Sequence, residues 1–182
     1  MKKIGLVRHH RVMEGYPTRG FITAQDIEEW LERYDRSAID IKPIELDETE
    51  WAACFSSDLS RAMQTAESVY EKEIVVTELL RELPFPVLKT KLRLPFFGWV
   101  VLARLAAPFN PRIKEQIKEA NTRIEILLNQ LKMLPHDNIL LIGHGGMMLL
   151  MRSALKRRGF SGPRFGHPRN GILYVFEKRA DR

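Results

Sequence analysis

The hydrophobic pattern of this chain switches repeatedly between unbroken apolar runs and stripes spaced three and four residues apart, dividing it into alternating strands and helices. The first run, about Lys3 to Val7, predicts a strand that ends abruptly in Arg8, His9 and His10. A loop punctuated by Gly15, Pro17 and Gly20 follows. Thr23 is placed to cap a helix whose apolar stripe is Ile27, Trp30, Leu31 and Tyr34. The acidic, irregular stretch from Asp35 to Thr49 leads into a short buried strand at Trp51 to Phe55. Ser57 or Asp58 then caps a second helix, with Leu59, Ala62, Met63, Ala66, Val69 and Tyr70 on its buried face. The β-branched segment Ile74 to Thr77 predicts the next strand.

After Leu80-Arg81-Glu82 the periodicity fails. Leu83-Pro84-Phe85-Pro86 is followed by the basic trio Lys89, Lys91 and Arg93 and by an apolar tract from Leu94 to Phe109. Pro95, Gly98, Arg104 and Pro108 interrupt that tract, which is too short to span a bilayer. Residues 84–109 are therefore expected to form a helical insert capping one end of the sheet near the site, in preference to a membrane-surface element. Asn110 and Pro111 open the clearest helix, with Ile113, Ile117, Ala120, Ile124, Leu127, Leu128, Leu131 and Leu134 along one side and Pro135 ending it. The strand Asn138 to Ile142 is apolar enough for burial on both faces, which suits a parallel sheet. It runs into Gly143-His144-Gly145-Gly146, a helix to about Arg158 and a last strand from Ile172 to Glu177. The alternation predicts a three-layer α/β/α sandwich with a mostly parallel central sheet.

Length adds that 182 residues fit a single domain over the whole chain, with the insert inside it. The opening Met-Lys-Lys-Ile-Gly-Leu-Val is too short an apolar run for a signal peptide, and the lone Cys54 excludes an internal disulfide, so a cytoplasmic protein with a buried structural thiol is expected. A net charge of +6, from 29 basic and 23 acidic residues, favours anionic partners. Phosphorylated metabolites, nucleic acid and an anionic membrane surface all qualify. Without an arginine-rich run, zinc-ligand spacing or an RNA-binding aromatic signature, nucleic acid is not the expected partner.

Candidate chemistry sits where strands end. Arginine presents a planar fork matched to phosphate oxygens, and a neutral imidazole beside it can attack phosphorus. Three strand-end loops carry such groups: Arg8-His9, the Ser57-to-Arg61 segment, and Gly143-His144-Gly145-Gly146. In open α/β sheets these carboxyl ends form the usual ligand crevice. Taken singly, Arg61 also reads as a solvated charge, His144 as a satisfied core histidine, and Leu80-Arg81-Glu82 as an ordinary strand exit.

Jointly, Leu-Val-Arg-His near the start, Ser56-Ser57-Asp58-Leu59-Ser60-Arg61-Ala62-Met63-Gln64-Thr65-Ala66, Leu80-Arg81-Glu82 and Gly143-His144-Gly145-Gly146 resemble the histidine phosphatase superfamily, the phosphoglycerate-mutase-like fold. The resemblance covers most of the chain. It implies that His9 is the nucleophile that becomes phosphorylated, that Arg8, Arg61 and His144 bind phosphoryl oxygens, and that Glu82 is the acid. It implies a phosphomonoester hydrolase that needs neither metal nor cofactor and acts on a phosphorylated small molecule or phosphoprotein. A phosphoglycerate-type mutase and a noncatalytic phospholigand-binding module are the alternatives. His10 departs from the family pattern, which has a small residue, usually Gly, after the nucleophile, and it is a rival nucleophile or a substrate contact. The Arg11 to Ile22 loop departs as well, with Thr18-Arg19-Gly20 a partial trace of the usual motif. In the insert, Lys89, Lys91 and Arg93 are candidate substrate contacts.

Overall fold

The computed structural model describes residues 2–18, 20–47, 50–88 and 90–178. Strand β1 (Lys3–Arg8) leads to the two-residue strand β2 (Arg11–Val12), helix α1 (Ala24–Arg36) and strand β3 (Ile39–Asp40). Strand β4 (Ala53–Ser57), helix α2 (Ser60–Val69) and strand β5 (Ile74–Thr77) follow. A 3₁₀ turn at Glu78–Leu80 precedes helices α3 (Phe96–Ala106) and α4 (Pro111–Lys132). Strand β6 (Asn138–Gly143), helix α5 (Gly145–Arg157), and strands β7 (Phe160–Ser161) and β8 (Leu173–Lys178) complete the described chain.

Six strands form one sheet in the order β5-β4-β6-β1-β8-β7. β5, β4, β6 and β1 run parallel, and β8 is antiparallel to β1. Strand alternation separates two cores. Ile4, Leu6, Ile139 and Leu141 face α4 and α5, meeting Ile124, Leu127, Leu131, Met147 and Met151. Val7, Leu140 and Ile142 face the other way, toward Trp51, Cys54 and the α2 residues Ala62, Ala66 and Tyr70. Helices on both faces explain why β1 and β6 are apolar without alternation. Register aligns Arg8 with Gly143 and Ser57 with Thr77, so the strand ends that carry candidate chemistry share one edge.

Three sequence expectations shift. β4 begins at Ala53 instead of Trp51 and runs through Ser57, and α2 begins at Ser60 with Leu59 at its N-cap, where no side chain caps it. Ser57 cannot cap because it is still strand, and its hydroxyl accepts from the Leu59 amide at 3.3 Å. Within 84–109 only α3 is helical. The described residues ahead of it are irregular, with a tight turn from the Val87 amide to the Phe85 carbonyl (2.9 Å), and Leu94 pairs with Ile22 through reciprocal backbone bonds of 2.9 and 3.1 Å. Two prolines, Pro84 and Pro86, deny that segment helical amides. α3 packs Phe96 against Trp30 of α1 and against Tyr16, and the Trp99 indole donates to the Ile22 carbonyl at 2.9 Å. No helix among the described residues is long and apolar enough to cross a membrane.

Candidate active site

Arg8, the last residue of β1, is buried with its guanidinium spread between three neighbours. It approaches His167 Nε2 at 3.2 Å, donates to the Pro168 carbonyl at 3.0 Å, and donates to the Tyr16 hydroxyl at 3.3 Å. Its Nε has no hydrogen-bond partner. The first turn of α5 lies against this guanidinium, with a Cβ built on Gly145 at an ordinary contact distance of 3.4 Å from it.

His9 follows directly, its amide donating to the Gly143 carbonyl at 2.9 Å and its carbonyl held by Asn170 Nδ2 at 2.7 Å. Its Nδ1 lies 2.7 Å from the His10 carbonyl, which can only accept, so Nδ1 carries the proton and Nε2 the free lone pair. Burial, then the nearby Arg61 and Arg8 guanidinium groups, push the His9 imidazole down to about 3. At neutral pH it is uncharged and nucleophilic. The His9 and His144 ring centroids are 5.1 Å apart.

His144 is fully buried at the strand-to-helix junction of β6 and α5, with Nε2 2.9 Å from Ser57 Oγ. The Ser57 oxygen also accepts from the Leu59 amide, and its hydroxyl proton can be donated to Nε2. In that arrangement the His144 proton sits on Nδ1, which has no hydrogen-bond partner. Burial, followed by His9, Arg61 and Arg8, holds His144 well below the usual imidazole range. It therefore acts as a neutral hydrogen-bond donor.

Arg61 is the second residue of α2. Its guanidinium stacks over the Tyr34 ring at 5.4 Å and donates to Asp35 at 2.6 Å, while its Nε has no partner. Glu82 accepts three backbone hydrogen bonds, from Leu83 (3.0 Å) and Met147 (2.9 Å) at Oε1 and from Gly146 (3.0 Å) at Oε2. Two of these come from the first turn of α5, whose amides have no intrahelical acceptor. A Cβ on Gly146 would sit 2.8 Å from Glu82 Oε1, so a larger residue there would push the carboxylate off these amides.

The residues nominated from sequence thus divide. Arg8, His9, Arg61 and His144 converge, and Glu82 joins them at the α5 N-terminus. His10 is directed elsewhere: Nε2 lies 3.3 Å from Ser68 Oγ, Nδ1 lies against Gly171, and its amide donates to Thr65 at 2.9 Å. Lys91 is exposed, and Arg93 reaches the Phe21 carbonyl at 3.5 Å. Lys89 and Arg19 lie outside the described residues. Sequence reasoning did not find Tyr16, Asp35 and His167, which contact the Arg8 and Arg61 guanidinium groups, or Asn170, which donates to the His9 carbonyl. Their contacts cross between 8 and 161 residues of chain, which no local pattern encodes.

Among the described residues, no group of three or more His, Cys, Asp or Glu could hold a metal ion. What remains is a cluster of cationic and neutral donors around one nucleophilic nitrogen, an arrangement matched to a phosphoryl group.

Comparison with solved structures gives the same fold at low sequence identity. A mycobacterial glucosyl-3-phosphoglycerate phosphatase superposes with a TM-score of 0.60 at 17% identity, covering 96% of this chain and 89% of that one. The alpha-ribazole phosphatase from Shigella flexneri gives 0.56 at 16% identity over 97% and 94%. The phosphoserine phosphatase from Entamoeba histolytica, solved with 3-phosphoglyceric acid, gives 0.51 at 18% identity over 86% and 81%. No curated protein matches the sequence. The sequence model of the histidine phosphatase superfamily (branch 1) matches residues 6–182, and the chain belongs to that superfamily.

Proposed function

We propose that the protein is a phosphomonoester hydrolase that works through a phosphohistidine on His9. The observation that carries the reading is the His9 imidazole itself, neutral, with Nδ1 bound to the His10 carbonyl and Nε2 unprotonated beside Arg8, Arg61 and His144. His9 Nε2 attacks phosphorus and the P–O bond to the leaving alkoxide breaks. The Nε of Arg8, the Nε of Arg61 and the Nδ1–H of His144, all buried without a partner, supply hydrogen bonds to the phosphoryl oxygens. Glu82 Oε2 accepts one backbone bond where Oε1 accepts two, so Oε2 is the oxygen assigned to carry the proton to the leaving group. Water then attacks the phosphohistidine, with the same carboxylate as base, and releases orthophosphate.

The substrate class is a phosphorylated small molecule, in keeping with what the structurally similar phosphatases are named for. The test is hydrolysis of p-nitrophenyl phosphate with radiolabel trapping of the acid-labile, base-stable phosphoenzyme. His9→Ala is expected to lose about a thousandfold or more in turnover together with the trapped label. Activity retained in His9→Ala but lost in His10→Ala would move the nucleophile to His10 and overturn the assignment.

A further inference from the structure

Helix α3 has two apolar faces, and the fold uses one. Phe96, Trp99 and Ala103 are buried against α1 and the 13–22 loop. On the outer face, Phe97, Val101 and Leu105 fall four residues apart and stay 65%, 54% and 67% exposed, and Phe109 beyond the helix end is 85% exposed. Phe21 and Leu92, which flank the Ile22–Leu94 pairing at the N-terminal end of the helix, are exposed too.

Charge singles out the same region. From Leu83 to Lys114 there is no acidic residue, while Lys89, Lys91, Arg93, Arg104, Arg112 and Lys114 are all basic. These six account for the whole net charge of +6, leaving 23 basic against 23 acidic residues elsewhere. Of the acidic side chains of α1, Asp26 faces Arg93 and Glu28 shares a cleft with Arg112, so the positive excess here is a net one. An apolar stripe within such a net positive region fits an anionic lipid surface, with rings and aliphatic chains entering the headgroup boundary and Lys and Arg meeting lipid phosphates. A second copy of the chain is the weaker occupant, because pairing two such patches would bring all of the excess positive charge of both molecules together. The helix is 11 residues long, far short of the span of a bilayer, so it lies in the surface plane.

We propose that the outer face of α3, with its flanking basic residues, docks the protein onto an anionic bilayer. Sequence interruptions alone weigh against membrane contact at this insert; the exposed stripe and the confinement of the net charge reverse that balance. The stripe begins at the site rim. Phe97 lies 6.5 Å from the Tyr16 ring, whose hydroxyl bonds Arg8, so docking holds the phosphate cluster beside the lipid surface.

Sedimentation of the full chain with vesicles tests this independently of catalysis. The protein is expected to bind phosphatidylcholine vesicles containing about one quarter phosphatidylglycerol, to bind pure phosphatidylcholine far less, and to release severalfold between about 0.05 M and about 0.5 M salt. The double substitution Val101→Glu/Leu105→Glu, and separately Val101→Ser/Leu105→Ser, should lower partitioning by about tenfold or more. Both variants should keep the wild-type melting temperature and hydrolysis of soluble p-nitrophenyl phosphate. Absence of wild-type binding at low salt, or undiminished binding by the folded variants, would overturn the proposal. A dimer by light scattering that both variants dissociate would assign the face to self-association instead.

Discussion

Acid should destabilise this fold through His9 by an amount the site geometry sets. The imidazole falls from 6.5 to about 3 in the folded protein, because it is buried among Arg61, Arg8 and His10. An unfolded chain protonates this residue near its ordinary value, so below that pH the unfolded state binds a proton that the folded state does not. Stability is therefore fully present above about pH 6.5 and is lost progressively as pH falls toward 3. At about 1.4 kcal/mol per pH unit, His9 costs about 2 kcal/mol at pH 5 and about 4 kcal/mol by pH 3, where the folded imidazole is itself half protonated. His9→Asn removes the titrating group while placing an amide N–H where Nδ1 donates to the His10 carbonyl. Urea unfolding followed by circular dichroism at pH 7 and pH 5 is the assay. The wild type should lose about 2 kcal/mol more than His9→Asn between those values. An equal loss in both proteins would refute the claim that His9 is held neutral by burial and by the arginines.

Three further outcomes follow from particular contacts. Asp35, half-exposed, holds the Arg61 guanidinium at 2.6 Å and so competes with a phosphoryl group; Asp35→Asn should tighten competitive inhibition by orthophosphate about two- to fivefold, and weaker inhibition would make Asp35 a positioning residue instead. Glu82→Gln should lower kcat about a hundredfold on an alkyl phosphate and much less on p-nitrophenyl phosphate, whose leaving group needs little protonation, whereas equal losses on both would remove Glu82 as the acid. Gly5→Ala would set a Cβ 2.7 Å from the Trp51 ring and 2.9 Å from Leu173 in the middle of the sheet, so thermal unfolding should show about 1–3 kcal/mol of destabilisation with the reaction chemistry unchanged.

What could be read from the sequence is what short-range periodicity encodes. The helix Pro111–Lys132 is announced by its Asn110 cap and Pro111, and the Asn110 Oδ1 accepts hydrogen bonds from the amides of Arg112 and Ile113. The doubly apolar β6 suits a parallel sheet, and it lies between the parallel strands β4 and β1. Residue type alone favours an earlier start for α2, because Ser57 and Asp58 are good caps. Here strand pairing with Thr77 keeps Ser57 extended, and Asp58 is drawn to Arg81. The two-residue strands β2 and β3 carry no pattern long enough to detect.

Site residues followed the same division. Arg8, His9, Arg61 and His144 could be nominated because each belongs to a strand-end motif. Their supports could not, since Tyr16 meets Arg8 from the 13–22 loop and Asn170 meets His9 from a segment 161 residues later. His10 shows the limit from the other side. By residue type it rivals His9 as a nucleophile, and only the fold turns it away, toward Ser68 and Gly171.

The two glycines after His144 link the acid to the phosphate donors. Arg8 lies in ordinary contact with Gly145, whereas a Cβ on Gly146 would fall 2.8 Å from Glu82 Oε1. The first turn of α5 thus has a guanidinium beside one glycine and a carboxylate close against the next. Its Gly146 and Met147 amides fix Glu82, while its preceding residue, His144, supplies the donor beside His9. A shift of this turn would therefore move Glu82 and His144 together, so the two can keep a common geometry although they lie on different strand-end loops. His144 alone reads as a core histidine, but the glycine two residues on marks a helix start whose free amides Glu82 can approach closely.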